Sequence, residues 1–379
     1  MIKGCFVAGA LLLLVSSCVW AQDPLPLPER LTTMLDTRFK ETKCPGLSVA
    51  VALHNQIIFS KASGMADLEQ SVPMATVSVQ RLASLSKPVT GTIIMGLVEQ
   101  GKLQLDISVR QYLPELPEAY QKVTLRELLS HQSGVRGYAD EVEVLFSTKH
   151  YASAREALKA MMGFPLSFEP GTKVEYSSLS FTVAAAAAEA VTGRAFQQLA
   201  AEFFSQHDIT GLAIDDPYNL VPHRVRGYLV DQSSKMEFND GRVMAREYLN
   251  GTSGEITNAH FYDISNRYPA GGFDASAEDL LAFVVAVGSG KVLKPEMLEK
   301  MWTAQSTTDG KKSVFGLGWG VSQWKNTAKM VGMNGLELST TAFLRYLPER
   351  GEGVVVLCNA EGAQKLPELL NDVLDAAMK

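Results

Sequence analysis

The sequence predicts an α/β (α+β) protein in which both ends of the chain build one antiparallel sheet, flanked by terminal helices. Three observations predict this fold. Residues 29–60 combine a helical pattern with strands, residues 341–374 combine strands with another helical pattern, and the long middle is helical and irregular. One sheet domain made from the two termini, with a helical domain inserted, is the simplest architecture. A functional cleft is expected where the two parts meet.

The N-terminal part predicts one helix followed by a β-hairpin. Leu31, Leu35 and Phe39 recur at helical spacing and form one apolar stripe. Two runs with strand character follow at 47–53 and 57–60, on either side of a polar break. Two such runs joined by a short break are typical of a hairpin.

The C-terminal part predicts two strands and a last helix. Residues 341–347 and 353–358 are strand-like runs on either side of a charged turn. The final helix is predicted from an apolar stripe, which comprises Leu366, Leu369, Leu370, Val373 and Leu374.

The composition is that of a folded protein with no nucleic-acid partner. Of the 379 residues, 46% are hydrophobic and 20% are charged, which excludes a disordered chain. The formal net charge is −6, and lysine and arginine form no cluster, so a nucleic-acid surface is not predicted.

Residues 1–21 have the pattern of a signal peptide. Lys3 supplies the positive charge, residues 6–15 are almost wholly apolar, and small residues surround Ala21. The apolar run is shorter than the roughly 18 to 20 residues that a membrane-spanning helix needs. We therefore expect export, to the periplasm or the medium, with cleavage after Ala21. Residues 15–18 also resemble a lipobox, so cleavage before Cys18 with a lipid anchor is the competing prediction.

Cleavage after Ala21 leaves two cysteines, Cys44 and Cys358. In an oxidising compartment they either pair or serve as small buried hydrophobic residues. No metal-binding spacing such as CxxC or HExxH is present, and no metal or organic cofactor is predicted.

Ser84 and Lys87 are the candidate catalytic pair. The segment that contains them opens an apolar helical pattern, and residues three apart on a helix share a face. A lysine in a cleft loses hydration, so its neutral form becomes available to take a serine proton. The start of a helix also offers the free Ser84 amide as one donor of an oxyanion hole.

The same S-x-x-K spacing occurs a second time at Ser322 and Lys325. That copy lies in a predicted strand or turn, where two side chains three residues apart point to opposite faces. We therefore interpret it as coincidental.

Several further motifs in order give the chain a specific resemblance. They are Cys44-Pro45-Gly46-Leu47-Ser48-Val49-Ala50-Val51, the helical run that begins at Ser84, Leu128-Leu129-Ser130-His131-Gln132-Ser133-Gly134, Phe168-Glu169-Pro170-Gly171, Tyr176-Ser177-Ser178, Tyr268-Pro269-Ala270-Gly271-Gly272 and Gly316-Leu317-Gly318-Trp319. Over nearly the whole mature chain, this series resembles the serine β-lactamase and penicillin-binding protein superfamily, which includes class C β-lactamases, DD-peptidases and related serine esterases.

The resemblance implies a β-lactamase/transpeptidase-like fold for residues 28–379. Its α/β part is expected at about 28–86 and 266–379, and the helical insert at about 87–265. In the resembled fold the strands next to Cys44 and Cys358 pair antiparallel, which implies a disulfide between these cysteines.

The resemblance also assigns roles within the second motif. Tyr176 is implied to relay a proton to and from the leaving group, with the Lys87 cation making its phenol a useful acid or base. Ser178 stands where the superfamily has an asparagine that contacts lysine and substrate; its hydroxyl can donate and accept but reaches less far.

The third motif departs further from the superfamily pattern. Where K-T-G or H-x-G is expected on the strand that lines the cleft, the chain has Met333, Asn334 and Gly335, and these three are the implied substrate-binding residues. Methionine carries no charge and passes no proton. The backbone amide of Leu336 is the implied second oxyanion donor, which a side-chain change need not remove.

Two other candidates carry less weight. We interpret His131 as a hydrogen-bonded structural residue rather than a base. The G-x-S-x-G turn that often accompanies a Ser-His-Asp triad is absent.

These observations predict an exported serine hydrolase that forms an acyl-enzyme on Ser84 and hydrolyses an ester or amide in a small molecule or peptide. The alternative is a degenerate relative that keeps the fold as a binding or regulatory protein, because the second and third motifs are altered.

Overall fold

The computed structural model describes residues 25–137, 147–160, 163, 165–230, 236–237, 243–244 and 256–378. The predicted signal peptide and the competing lipid-anchor residue Cys18 lie outside this part of the chain. Within it, no helix combines the length and the apolar character needed to cross a membrane.

A seven-stranded antiparallel sheet forms the centre of the molecule, in the order β11-β12-β13-β14-β1-β2-β3. Its strands are β1 (Gly46–Leu53), β2 (Gln56–Asp67), β3 (Val72–Pro73), β11 (Gly320–Trp324), β12 (Ala328–Glu337), β13 (Thr340–Leu347) and β14 (Glu352–Cys358). The first strand pairs with the last long strand, with Leu47 opposite Cys358. Both ends of the chain therefore build one sheet, which confirms the predicted fold class.

Ten α-helices surround the sheet or lie in the middle of the chain, within the described residues. They are α1 (Leu27–Thr42), α2 (Ser86–Glu99), α3 (Leu125–Leu129), α4 (Ala154–Lys159), α5 (Leu179–Thr192), α6 (Phe196–Gln206), α7 (Tyr268–Gly271), α8 (Ala277–Gly288), α9 (Pro295–Met301) and α10 (Leu366–Ala377).

Short strands also occur between the helices. These are β4 (Gln80–Arg81), β5 (Ala213–Ile214), β6 (Tyr228–Val230), β7 (Met236–Glu237), β8 (Val243–Met244), β9 (Ile256–Asn258), β10 (Phe273–Ala275) and β15 (Ala360–Glu361). The middle of the chain therefore contains small sheets that its helical pattern did not predict, because runs of two or three residues show no periodicity.

The sheet buries both faces. On one face, α1 and α10 pack over β1, β13 and β14, and the apolar stripes predicted for these helices form that core. On the other face, α8 and the helices of the middle region enclose a larger core. The candidate active site described below lies on this second face, where the Ser84 turn packs against β12.

The disulfide implied by the resemblance is present. Cys44 and Cys358 are bonded, with their Cα atoms 6.0 Å apart. The bond lies in the core beneath α1 and α10, and it links the start of the first strand to the end of β14.

Candidate active site

Ser84 lies in a 3₁₀ turn, Ala83–Leu85, that precedes α2 rather than in the α-helix itself. Ala83 has a φ of 47°, in the left-handed region that L-residues seldom adopt. Two flanking contacts hold this conformation: Leu82 N donates to Phe273 O at 2.9 Å, and Thr340 Oγ1 donates to Arg81 O at 3.0 Å. A strained residue fixed beside a candidate nucleophile is a common feature of functional sites.

Lys87 is completely buried, and its ammonium group has three hydrogen-bond acceptors. Nζ lies 3.0 Å from Ser84 Oγ, 3.1 Å from Ser178 Oγ and 3.0 Å from the carbonyl oxygen of Ala270. Burial lowers the pKa of Lys87 to about 7, because none of the three acceptors carries the full negative charge that would compensate for lost hydration. The neutral amine is therefore well populated near neutral pH, as predicted for a candidate base.

The first turns of α2 are fixed against the segment that contains α7. Thr90 Oγ1 donates to Pro269 O at 2.6 Å, and Ser86 Oγ accepts from Phe273 N at 3.1 Å. With the contact of Lys87 to Ala270, three hydrogen bonds join one face of α2 to this segment. The Tyr-Pro-Ala-Gly-Gly landmark of the sequence thus supplies one carbonyl that accepts from Lys87 and one that accepts from Thr90.

Tyr176 contacts the same serine oxygen as Lys87 does. Its hydroxyl donates to Ser84 Oγ at 2.7 Å, and the Lys87 Nζ lies 4.7 Å from its ring centroid. We expected the Lys87 cation to make this phenol more acidic, but burial raises the pKa of Tyr176 above its usual range, although 38% of the residue is exposed. Tyr176 is therefore a protonated donor near pH 7, and Lys87 is the group that can accept a proton.

Ser178, which replaces the asparagine of the second motif, reaches Lys87 directly. Its hydroxyl accepts from Nζ, and the residue stands at the N-cap of α5. The shorter side chain therefore keeps the contact to lysine that the motif provides.

His131 packs against the back of Tyr176. The ring centroids lie 4.4 Å apart, and the His131 Nδ1 accepts from Ser177 N at 3.1 Å. Burial, reinforced by the nearby Lys87, lowers the pKa of His131 well below its usual value, so the ring is neutral. Its contacts are those of a structural residue that supports Tyr176, since it does not touch Ser84.

Gly335 lets β12 approach the turn that carries Ser84. A Cβ atom at this position would lie 2.7 Å from Leu82 O and 3.0 Å from Leu85 Cδ1. A glycine is therefore needed for the close contact between the strand and the turn. Leu336, the next residue of the strand, is 58% exposed.

Met333 and Asn334 lie on opposite faces of the sheet. Met333 is buried on the face of the cleft, as is the Gly335 position. Asn334 is exposed, and its Oδ1 accepts from Arg345 Nη2 at 2.7 Å. The structure therefore does not bring the Asn334 side chain to Ser84 and Lys87.

Arg345 lies on the neighbouring strand β13, opposite Gly332, and does not replace the missing cation of the third motif. It lies on the face of Asn334, and its Nη1 donates to the carbonyl oxygens of Leu344 at 2.8 Å and Met333 at 3.3 Å. These contacts occupy the guanidinium on the face of the sheet opposite to the Met333 side chain. The face of β12 that carries Gly335 therefore has the uncharged Met333 at the first position of the third motif.

The sequence did not indicate an ion pair that joins the start of α7 to the end of β12. Arg267, one residue before α7, donates from Nη2 to Glu337 Oε1 at 3.0 Å. Glu337 follows the implied oxyanion residue Leu336, and strand alternation places its side chain on the face of Met333 and Gly335. The alternation of side chains along the strand is the one sequence signal that points to Glu337. Arg267 belongs to none of the motifs identified in the sequence.

Neither the second S-x-x-K nor any cluster of metal-binding side chains forms a comparable site in the described part of the chain. Ser322 of the second S-x-x-K lies on the edge strand β11, where its hydroxyl faces Met330 O, and Lys325 lies in the following turn. In the described part of the chain, no three histidine, cysteine, aspartate or glutamate side chains are close enough together to hold a metal ion.

The arrangement around Ser84 contains the groups that acyl transfer needs. One hydroxyl oxygen is in contact with an amine that is partly neutral at pH 7 and with a protonated phenol. Such a set can remove a proton from an attacking hydroxyl and return one to a leaving group.

Several known proteins are similar in sequence to this chain. The human mitochondrial serine beta-lactamase-like protein LACTB is 24% identical over 426 aligned residues, which cover 85% of this chain and 74% of that protein. Esterase EstB of Burkholderia gladioli is 28% identical over 319 residues, with 79% of each chain covered.

Solved structures with the same fold include the D-amino acid amidase of Ochrobactrum anthropi SV3 in complex with D-phenylalanine. Its TM-score is 0.75 at 20% sequence identity, and the match covers 93% of this chain and 99% of the amidase. The beta-lactamase family model matches residues 31–378, almost the whole described chain. The protein therefore belongs to the beta-lactamase family.

Proposed function

We propose that this protein is an exported serine hydrolase that forms an acyl-enzyme on Ser84 and hydrolyses an ester or amide. The observation that carries the proposal is the double contact of Ser84 Oγ, which accepts from Lys87 Nζ at 3.0 Å and from Tyr176 Oη at 2.7 Å. A binding or regulatory protein has no need for a buried lysine with a lowered pKa beside a serine.

In the proposed acylation, neutral Lys87 takes the Ser84 proton while Oγ attacks the carbonyl carbon of the substrate. The backbone amides of Ser84 and Leu336 stabilise the oxyanion of the tetrahedral intermediate. Tyr176 then donates its proton to the leaving group as the bond to that group breaks, and the proton held by Lys87 restores Tyr176. Water hydrolyses the resulting serine ester with the same groups acting in reverse.

Export is part of the proposal, and two features support it. Residues 1–21 have the pattern of a signal peptide. The Cys44–Cys358 disulfide fits an oxidising compartment such as the periplasm or the medium. The intact mass of the mature protein distinguishes cleavage after Ala21 from lipid attachment at Cys18.

The catalytic proposal is tested by intact-mass measurement after exposure to a fluorophosphonate. We expect one adduct on Ser84 in the wild type, none in Ser84→Ala and strongly slowed labelling in Lys87→Ala. Ser322→Ala is the matched control, because it removes the serine of the second S-x-x-K, and it should label like the wild type.

Tyr176→Phe separates the two proton-transfer roles. Fluoride leaves without help from an acid, so labelling should continue, whereas hydrolysis of an anilide should fall by about 10²- to 10⁴-fold. An adduct that maps to Ser322 would refute Ser84 as the nucleophile, and a wild-type protein that gains no adduct would favour the binding or regulatory alternative.

A further inference from the structure

The ion pair between Arg267 and Glu337 stands outside the proton-transfer groups but joins two segments that they depend on. Arg267 directly precedes α7, whose Ala270 carbonyl accepts from Lys87. Glu337 ends β12, two residues after Gly335, which packs against the Ser84 turn. The pair therefore connects a partner of Lys87 to the strand that carries the Leu336 amide.

The geometry of the pair is well defined. Besides the 3.0 Å contact, Arg267 Nε lies 3.5 Å from Glu337 Oε2, so the guanidinium meets both carboxylate oxygens. The same Oε2 lies 3.5 Å from where a Cβ of Gly271 would be, which places the carboxylate over the α7 turn. The exposed fractions of the two side chains are 3% and 18%, so bulk water screens the pair weakly.

Tyr262 holds the arginine from the other side. Its ring centroid lies 5.3 Å from the Arg267 Cζ and 4.6 Å from the Arg81 Cζ, and its hydroxyl donates to Leu338 O at 3.2 Å. The tyrosine thus ties the arginine to the backbone that directly follows Glu337.

Both members of this pair influence the charge state of Lys87. Tyr176 and His131 also face the amine, but both are neutral near pH 7, since burial raises the pKa of the phenol and lowers that of the imidazole. Glu337 favours the ammonium form of Lys87, and Arg267 disfavours it. The two charges have opposite effects on the pKa of Lys87, so removing either one should reveal the effect of the other.

We propose that Arg267 and Glu337 are positioning residues of the active site, which hold the Ala270 carbonyl and the end of β12 together and present two opposed charges to Lys87. This inference rests on the proposed function, because the effect of the pair on the pH profile can be measured only if Lys87 acts as the base. A purely structural ion pair would change the amount of folded enzyme and its rate but would not move its pH profile in opposite directions.

The test measures the rate constant of Ser84 labelling by a fluorophosphonate between pH 5 and 9. In Glu337→Gln the acid limb of the profile should move to lower pH, and in Arg267→Gln to higher pH, each by roughly half a pH unit or more. The double variant, which removes both charges, should return close to the wild-type position.

Two further variants keep the test decisive if Arg267→Gln fails to fold. Glu337→Asp keeps the charge but shortens the side chain, so it should leave the acid limb in place and lower the rate. Glu299→Gln is the matched control: it breaks the exposed ion pair with Lys329, which also lies on β12, and should change neither property.

If the acid limb moves in the same direction in Glu337→Gln and Arg267→Gln, or stays in place in Glu337→Gln, this inference is wrong, and the proposed function is unaffected. A wild-type enzyme that is not labelled at Ser84 would instead overturn the proposed function.

Discussion

Lys87 Nζ lies 3.0 Å from Ser84 Oγ in a site where the lysine is completely buried. Burial lowers the pKa of this lysine to about 7, which leaves the ammonium and the amine in comparable amounts at neutral pH. The ammonium cannot accept a proton from the serine, and the amine can.

The pH dependence of hydrolysis follows from this relationship. We expect kcat/KM for p-nitrophenyl butyrate to rise with pH through an apparent pKa near 7, because the neutral amine forms as the proton leaves Lys87. In Lys87→Arg the side chain stays charged at every accessible pH, so the rate should fall by about 10²-fold or more. A wild-type profile that is flat from pH 5 to 9 would contradict the role of Lys87.

Gly335→Ala tests whether the contact between β12 and the Ser84 turn positions the nucleophile. The added Cβ would lie 2.7 Å from Leu82 O, so the strand or the turn must move. A displacement of this kind should lower kcat/KM by about 10- to 100-fold. Gly163→Ala is the control, since none of the residues that the structure describes lies within 4 Å of its Cβ position. Equal kcat/KM values for both variants and the wild type would show that the close contact is not needed.

The sequence predicted the sheet and the serine–lysine pair because both rest on local patterns. The stripe of Leu31 and Leu35 and the spacing of Ser84 and Lys87 lie within single elements, where periodicity determines which side chains share a face. The disulfide came from the resemblance, which implied the pairing of the first and last strands.

Contacts between distant segments were less accessible from the sequence. Lys87 meets Ala270, and Glu337 meets Arg267, only after α7 packs beside the end of β12. No periodicity or motif spacing in the sequence predicts either contact. The expectation that Lys87 makes the Tyr176 phenol more acidic was also wrong, because burial raises the pKa of Tyr176. The extent of that burial depends on how other segments pack around the phenol.

The Cys44–Cys358 disulfide should stabilise the protein without affecting catalysis. It joins the two ends of the chain in the core under α1 and α10, on the face of the sheet away from the cleft. Removing it in a double alanine variant should lower the free energy of unfolding by about 2 to 4 kcal/mol and leave kcat/KM unchanged. Denaturant titrations of the oxidised, the reduced and the double-variant protein measure the difference. Two free thiols in the unreduced mature protein would contradict the bond.

The last prediction concerns the charge of the substrate. In DD-peptidases and β-lactamases, which the sequence resembles, the third motif helps to hold a substrate carboxylate, and its lysine or charged histidine supports that contact. Here the uncharged Met333 is buried on the face of β12 that carries Gly335, and Arg345 is engaged with Asn334 on the opposite face of the sheet. We therefore expect neutral short-chain esters to be hydrolysed with higher kcat/KM than cephalosporins or D-alanyl-D-alanine peptides.

Met333→His tests this expectation on one preparation with p-nitrophenyl butyrate, a chromogenic cephalosporin and a D-Ala-D-Ala peptide. A charged hydrogen bond to a carboxylate is worth about 1.5 to 3 kcal/mol, so the histidine should improve the two anionic substrates relative to the ester by roughly tenfold or more below its pKa. Met333→Leu is the matched control, because it keeps the site apolar and should leave the ratio unchanged. Efficient β-lactamase or carboxypeptidase turnover by the wild type would refute the preference, since the cleft would then hold a carboxylate without a cation at position 333.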